Sequence, residues 1–240
     1  MNPDLKKHVA SLLASLDNLK AVLLLMEGQY AVLYPMERGG SVAFKLISPE
    51  AVRTAFSRLP IDTGWLPPNV RRWGHTPAGE YAVMFIPARR HVVPLANTWG
   101  NRFPAKRLLK VEVPLPAMVF AGLGQSYYVW ACAEAPHPDA ALFEVPLPNV
   151  SRGGGICFGR NNPPQVKPST MAQAWKLFMT SPFNDHLRGG SSKAHPDDVR
   201  EQLLAVAANG ADTYPTADLV PLQGTVTQAI QQLLNSGGRV

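Results

Sequence analysis

The chain has 240 residues, 23 Lys+Arg against 17 Asp+Glu for a net charge of +6, and 46% hydrophobic residues. That length and apolar content suit a single domain over residues 1–240 with a sizeable core, and exclude a disordered chain. No stretch approaches the roughly 18 uninterrupted apolar residues of a membrane span. No basic region followed by an apolar run opens the chain, and two cysteines, Cys132 and Cys157, make neither a disulfide framework nor a zinc-binding CxxC pair. A cytoplasmic, reducing setting is the expectation.

Taken in chain order, Asn2 and Pro3 suit a helix cap and first position, and Leu5, Val9, Leu12, Leu13 and Leu16 recur at helical spacing, predicting a helix over 3–18. Lys6 and Lys7 lie off that apolar stripe. Two β-like runs, 21–26 and 29–34, flank Glu27-Gly28 as a hairpin, and 41–47 reads as a third strand. Ser48-Pro49 starts a short helix running to about residue 59. Residues 60–116 are dense in proline, glycine and arginine, with strands expected at 80–87 and 108–113 and long ordered loops between. QSYYVWACA, residues 125–133, is an aromatic and β-branched strand, and 142–145 a shorter one. Helical periodicity follows at 170–179, 197–208 and 225–234, stopped by Ser-Pro, Asn-Gly and Ser-Gly-Gly. Segregated strands and helices of this kind predict an α+β fold, not an alternating one.

The middle stretch gathers Arg71, Arg72, Arg89, Arg90, Arg102, Lys106, Arg107 and Lys110 with Trp73, Trp99 and Phe103. A basic, aromatic-bearing surface suits single-stranded nucleic acid. No nucleic-acid motif accompanies it, so solvated loop charges are the favoured reading. The six histidines show no metal-binding pattern, and Gly153–Gly155 lacks the following Lys-Ser/Thr of a phosphate loop.

The informative segment is LPNVSRGGGIC, residues 147–157. Three glycines let the backbone approach closely and adopt positive φ, placing Cys157 on a constrained loop where a thiol is reactive if exposed. Asn149, eight positions upstream behind Pro148, is a candidate amide donor to a developing oxyanion, or simply a turn residue. A cysteine with an amide donor and no evident base fits thioester exchange better than proteolysis. Cys132, inside an aromatic strand, reads as packing.

Pro-Asn, an apolar residue, a polar-glycine turn and then Gly-Ile-Cys resembles the active-site stretch of ubiquitin-conjugating enzymes, in which the asparagine of a His-Pro-Asn triplet precedes the catalytic cysteine by the same spacing. Helix, β-meander, active-site loop and C-terminal helices is also that fold's order. LPNV…GGICFG, the helix ending at Ser181-Pro182-Phe183, and Tyr214-Pro215 resemble the diverged bacterial branch, including its prokaryotic family D and the plasmid-associated PRTRC protein B. Leu147 stands where the triplet has histidine, residues after Cys157 lack the usual leucine-rich run and tryptophan, and residues 60–116 have no alignable counterpart.

The resemblance implies that Cys157 carries a ubiquitin-like protein as a thioester received from a ThiF-type activating enzyme and passes it to an amine, a lysine of a target protein, with Asn149 as oxyanion donor and no cofactor or metal. It implies that Asp185 or His186 tunes the attacking amine, against the alternative of a cluster interacting with the helix dipole. It implies that Lys6 and Lys7 dock on the activating enzyme, against a plain solvated helix face. Operons of this branch also encode a JAB-type isopeptidase, and some act in antiphage defence. The internal Leu187-Arg188-Gly189-Gly190, which reproduces the ubiquitin tail, reads as a coincidental flexible stop. The alternatives are an inactive scaffold of the same fold, or a basic plasmid-associated nucleic-acid-binding protein.

Overall fold

Short apolar runs separated by turn residues build the first part of the chain. In the computed structural model, which describes residues 4, 7, 8, 11, 22–26, 29–35, 42–52, 64–96 and 108–236, strands β1 (Val22–Met26), β2 (Gln29–Pro35) and β3 (Val42–Ile47) form an antiparallel meander. Val22 pairs with Leu33 and Tyr30 with Ile47, and the alternate residues Ala31 and Leu33 are fully buried. Ser48 caps the turn expected after it, its Oγ accepting the Ala51 N–H at 3.1 Å, and residues 49–52 are helical. Most of the helix expected over 3–18, Lys6 included, lies outside the described residues; Asp4, Lys7, His8 and Ser11 are helical and exposed. Residues 1–64 and 65–240 are two compact units.

The second unit is organised by β4 (Val70–Thr76), β5 (Gly79–Ile86), β6 (Arg89–Ala96), β7 (Leu108–Leu115), β8 (Ala117–Leu123), β9 (Ser126–Cys132), β10 (Ala141–Phe143) and β11 (Pro221–Thr225). Among the described residues β11-β10-β9-β8-β5-β4 is one six-stranded antiparallel sheet, and β6-β7 a separate antiparallel pair. Every residue of β8 is buried, because both faces are covered. Met118 and Phe120 join the core on the face packed by α1 (Met171–Thr180) and α2 (Val199–Ala208), whereas Val119 and Ala121 join the one under α3 (Val226–Asn235). Its continuous apolar run therefore carries no period-2 signal.

The strands expected at 80–87 and 108–113 are β5 and β7, and the long loops expected around them are replaced over 70–76 and 89–96 by β4 and β6. Prolines sit where a ladder tolerates them: Pro87 and Pro116 between strands, and Pro94 in the two-stranded β6-β7 pair, where its carbonyl accepts the Phe183 N–H at 2.8 Å. Residues 97–107, with Arg102, Lys106 and Arg107, lie outside the described residues. The three C-terminal helices fall where expected. The α+β class holds: among the described residues the paired strands are antiparallel, and α1, α2 and α3 follow residue 170.

Met171, Ala174, Trp175, Phe178 and Met179 form the buried stripe of α1 at i, i+3, i+4, i+7 and i+8. They enter an aromatic cluster: Phe178 lies edge-on to Phe183 at 5.2 Å and to Phe158 at 6.2 Å, Trp175 to Phe120 at 5.3 Å, and Phe120 stacks on Tyr127 at 5.3 Å. The segment after α1 is tied down by charge. Arg200, fully buried, gives Asp198 two bonds, Nε to Oδ1 at 2.9 Å and Nη2 to Oδ2 at 2.6 Å. Burial raises the Asp198 carboxyl, but the Arg200 bonds and the Arg200 and Arg188 charges outweigh it and leave the pKa below the usual value.

Phe178→Ala is expected to lower stability by about 3–5 kcal/mol, read from the urea midpoint. Asp198→Ala, which strands a buried guanidinium, should cost a similar ~3–5 kcal/mol. Because the folded Asp198 pKa is depressed, its stabilisation is present above about pH 4, the unfolded value, and is lost as pH falls through the folded value. Urea midpoints of the wild type and Asp198→Ala should therefore converge on acidification.

Candidate active site

The segment 147–157 takes its shape from the edge of β9. Strand β10 pairs with β9 only at Phe143↔Ala131, so the earlier half of that β9 edge is open, and the glycine turn fills it. Val129 N–H donates to Gly154 O and Ile156 N–H to Tyr127 O, both at 2.9 Å. Within the segment, Val150 bridges Ile156, and Ser151 N–H donates to Gly155 O at 2.8 Å. The result is a tight hairpin with Arg152, Gly153 and Gly154 at its tip.

Glycine is required at that tip. Gly154 has φ +97, and a Cβ there would lie 2.4 Å from Trp130 Nε1. Trp130 Nε1–H donates to Gly153 O at 2.7 Å. On the other side the buried Glu144 carboxylate accepts the Gly153 N–H; burial raises its pKa, while this bond and the Arg152 charge oppose the rise.

The hairpin brings Asn149 and Cys157 together: Cys157 N–H donates to Asn149 O at 2.8 Å. Asn149 is buried with φ +61, a left-handed conformation that asparagine tolerates better than other side chains. Its backbone N–H donates to His186 O at 3.0 Å and its side-chain Nδ2–H to Pro182 O at 3.1 Å, while Oδ1 is buried without a hydrogen-bond partner. Support for Asn149 thus comes from backbone carbonyls of the chain after α1. Leu147, at the histidine position of the resembling triplet, is instead fully buried in the core.

The half-buried Cys157 opens onto a cleft of about 560 Å³ lined by Asn149, Phe158, Arg160, Asn161, Ser181, Pro182, Asn184 and His186, with Gly159 completing the wall. Phe158 anchors one wall in the aromatic cluster, and Asn161 Nδ2–H donates to Ser181 Oγ at 3.0 Å, tying that wall to the end of α1. Of the two groups expected to tune an amine, His186 lines the cleft; Asp185 is exposed and does not. Cys132 is buried in β9, where burial and the Glu134 charge raise its thiol to about 11. Trp130, Glu144, Phe158 and the Pro182 carbonyl escaped the sequence reading. Only Phe158, adjoining the cysteine, carries a local signal.

Gly154→Ala is expected to push the turn off Trp130 and change the iodoacetamide alkylation rate of Cys157 by about threefold or more, while far-UV circular dichroism stays native. An unchanged rate would show that the turn does not set the thiol's exposure.

A search of curated proteins and one of solved structures each found no match. A family model does match, over residues 45–222, from β3 through β11, which spans the hairpin, the cleft and both flanking helices. Its description, prokaryotic E2 family D, agrees with the resemblance carried by the Asn149–Cys157 segment and ties the chain to ubiquitin-type conjugation. The chain belongs to prokaryotic E2 family D.

Proposed function

We propose that this chain is a conjugating enzyme that carries a ubiquitin-like protein as a thioester on Cys157. The observation that carries the reading is the Cys157–Asn149 backbone bond, which closes a glycine hairpin and sets a half-buried thiol at the mouth of an open cleft. The Cys157 thiolate attacks the thioester on a ThiF-type activating enzyme; the new C–S bond forms as the old one breaks, and the activating enzyme leaves as thiolate. A target amine then attacks the same carbonyl carbon, the C–N bond forms, Cys157 leaves as thiolate, and the amine's proton passes to solvent. Neither step needs a metal or organic cofactor.

Asn149 serves the second step as oxyanion donor after its Nδ2 leaves the Pro182 carbonyl. His186, which lines the cleft, relays the amine's proton to solvent, and Asp185 acts from outside it. Lys7, exposed on its helix, with its neighbour Lys6, docks on the activating enzyme. The order of meander, active-site hairpin and C-terminal helices supports a ubiquitin-conjugating-like fold. In this reading the chain acts in the cytoplasm, in a bacterial conjugation system of the antiphage or plasmid-associated kind, with a JAB-type isopeptidase to reverse it. The engagement of the Asn149 amide with Pro182 favours, as second reading, an inactive scaffold that binds the ubiquitin-like protein or its activating enzyme.

Incubation with the cognate activating enzyme, ATP and the ubiquitin-like protein should give a thiol-sensitive adduct that Cys157→Ala abolishes; an adduct surviving that substitution sinks the proposal, and binding without any adduct selects the scaffold. Asn149→Ala should still charge but discharge about 100-fold more slowly. Equal loss of both steps would count against the oxyanion role.

A further inference from the structure

Residues 145–184, which carry the hairpin, the cleft walls and α1, contain no aspartate or glutamate and four cations: Arg152, Arg160, Lys167 and Lys176. All four are exposed. A protein surface ordinarily mixes both signs; here the stretch that carries the thiol, between Glu144 and Asp185, bears one sign alone. The four are not equivalent. Arg152 lies against Gly190, within about 3.1 Å of where a Cβ there would stand, and its charge acts on Glu144. Arg160 lines the Cys157 cleft itself. Lys176 borders a second hollow, lined also by Asn162, Pro164, Leu177 and Thr180, whose Asn162 and Thr180 adjoin the bonded pair Asn161 and Ser181 of the cleft wall. Among the described residues neither Arg160 nor Lys176 has a carboxylate within ion-pair distance. The next acid along the chain, Asp185, does not line the cleft.

Such a field has two effects on an approaching lysine. It lowers the amine's pKa, which favours the neutral nucleophile. It also repels the ammonium form that dominates in solution, so an isolated lysine is a poor visitor. Carboxylates beside the lysine remove the second effect, because they meet the cations while the amine enters the cleft.

We propose that the acceptor is an acidic segment, a lysine flanked by aspartate or glutamate whose carboxylates lie against Arg160 and Lys176. This rests on the thioester reading of Cys157. The transfer itself is unchanged: the C–N bond forms at the acyl carbon, the C–Sγ bond breaks, Cys157 departs as thiolate, and the proton goes to water.

The test uses the full chain acylated on Cys157 with a synthetic glycylglycine thioester, so that no partner enzyme enters, with the position of the acyl group checked by peptide mass mapping. Discharge is followed onto two peptides of equal length, each with one lysine, flanked by glutamates in one and glutamines in the other. The acidic peptide should discharge the acyl group about five- to tenfold faster at low salt, with the ratio shrinking towards one at ~0.5 M salt. The double variant Arg160→Gln, Lys176→Gln should bring the low-salt ratio to about one, whereas Arg71→Gln on β4, the same kind of charge loss elsewhere, should leave it unchanged. Equal low-salt rates on the two peptides overturn the inference without touching the thioester reading, which stands or falls on the enzymatic adduct.

Binding of the fluorescein-labelled acidic peptide to the unacylated chain gives a second measurement. Salt-sensitive binding weakened by Arg160→Gln supports the proposal. Displacement of that peptide by a single-stranded oligonucleotide of higher affinity would assign the face to nucleic acid and overturn it.

Discussion

The site depends on one set of contacts: the aromatic side chains Phe120, Tyr127, Phe158, Trp175, Phe178 and Phe183, packed mostly edge to face, with Phe120 stacked on Tyr127, between the sheet and α1. Phe120 and Tyr127 come from adjacent strands, Trp175 and Phe178 from the helix. Phe158 and Phe183 belong to neither. Each anchors an irregular segment, the half-buried Phe158 directly after Cys157 and the fully buried Phe183 directly after Pro182, whose carbonyl holds Asn149. Aromatic pairs of this geometry contribute about 0.5–1.5 kcal/mol each beyond their buried area. The cluster therefore holds two long loops against one scaffold, and the cleft is the space left between them.

Backbone groups do much of the work that side chains do in the resembling family. With leucine in place of the triplet's histidine, Asn149 is fastened by the carbonyls of Pro182 and His186 and by the Cys157 N–H. Those carbonyls are positioned at one end by Phe183, which bridges to β6 through Leu95, and at the other by the buried Asp198–Arg200 pair and by Asp218. The Asp218 carboxylate accepts from Ser192 Oγ and the Ala194 N–H at 2.8 Å. A buried polar network of this kind helps fix one conformation of a segment that lacks regular secondary structure. The positive φ of Asn149 and its unpartnered Oδ1 are the two unfavourable features such a frame sustains.

The positive charge has acquired a location. The arginines of β4 and β6, whose sequence context favours solvated charges over a nucleic-acid surface, are partly engaged in the fold: Arg72 lies over the Tyr81 ring and Arg90 bonds Ala211 O. Arg160 stands in the cleft beside the thiol on which the proposed function rests, on a stretch, residues 145–184, without a single acid.

The Asn149–Cys157 pairing, the glycine turn, the N-terminal hairpin and the three C-terminal helices were legible in the amino-acid sequence, because each depends on neighbours within about a dozen residues: positive φ at glycine, apolar spacing, a serine cap. Strands β4, β6, β8 and β11 were not. β8 is buried on both faces and loses its alternation, and the proline-bearing β6 finds its ladder partner only in β7 and Phe183. Nor were the groups that make a site out of the loop: Trp130 and the Pro182 carbonyl reach it from 23 and 33 residues away, and Glu144 from the far side of the intervening turn. Local chemistry determined which residues are reactive and where the chain turns. The tertiary structure decided which distant carbonyls and rings hold them, because those contacts are selected by packing across the sheet and not by any preference written beside the cysteine.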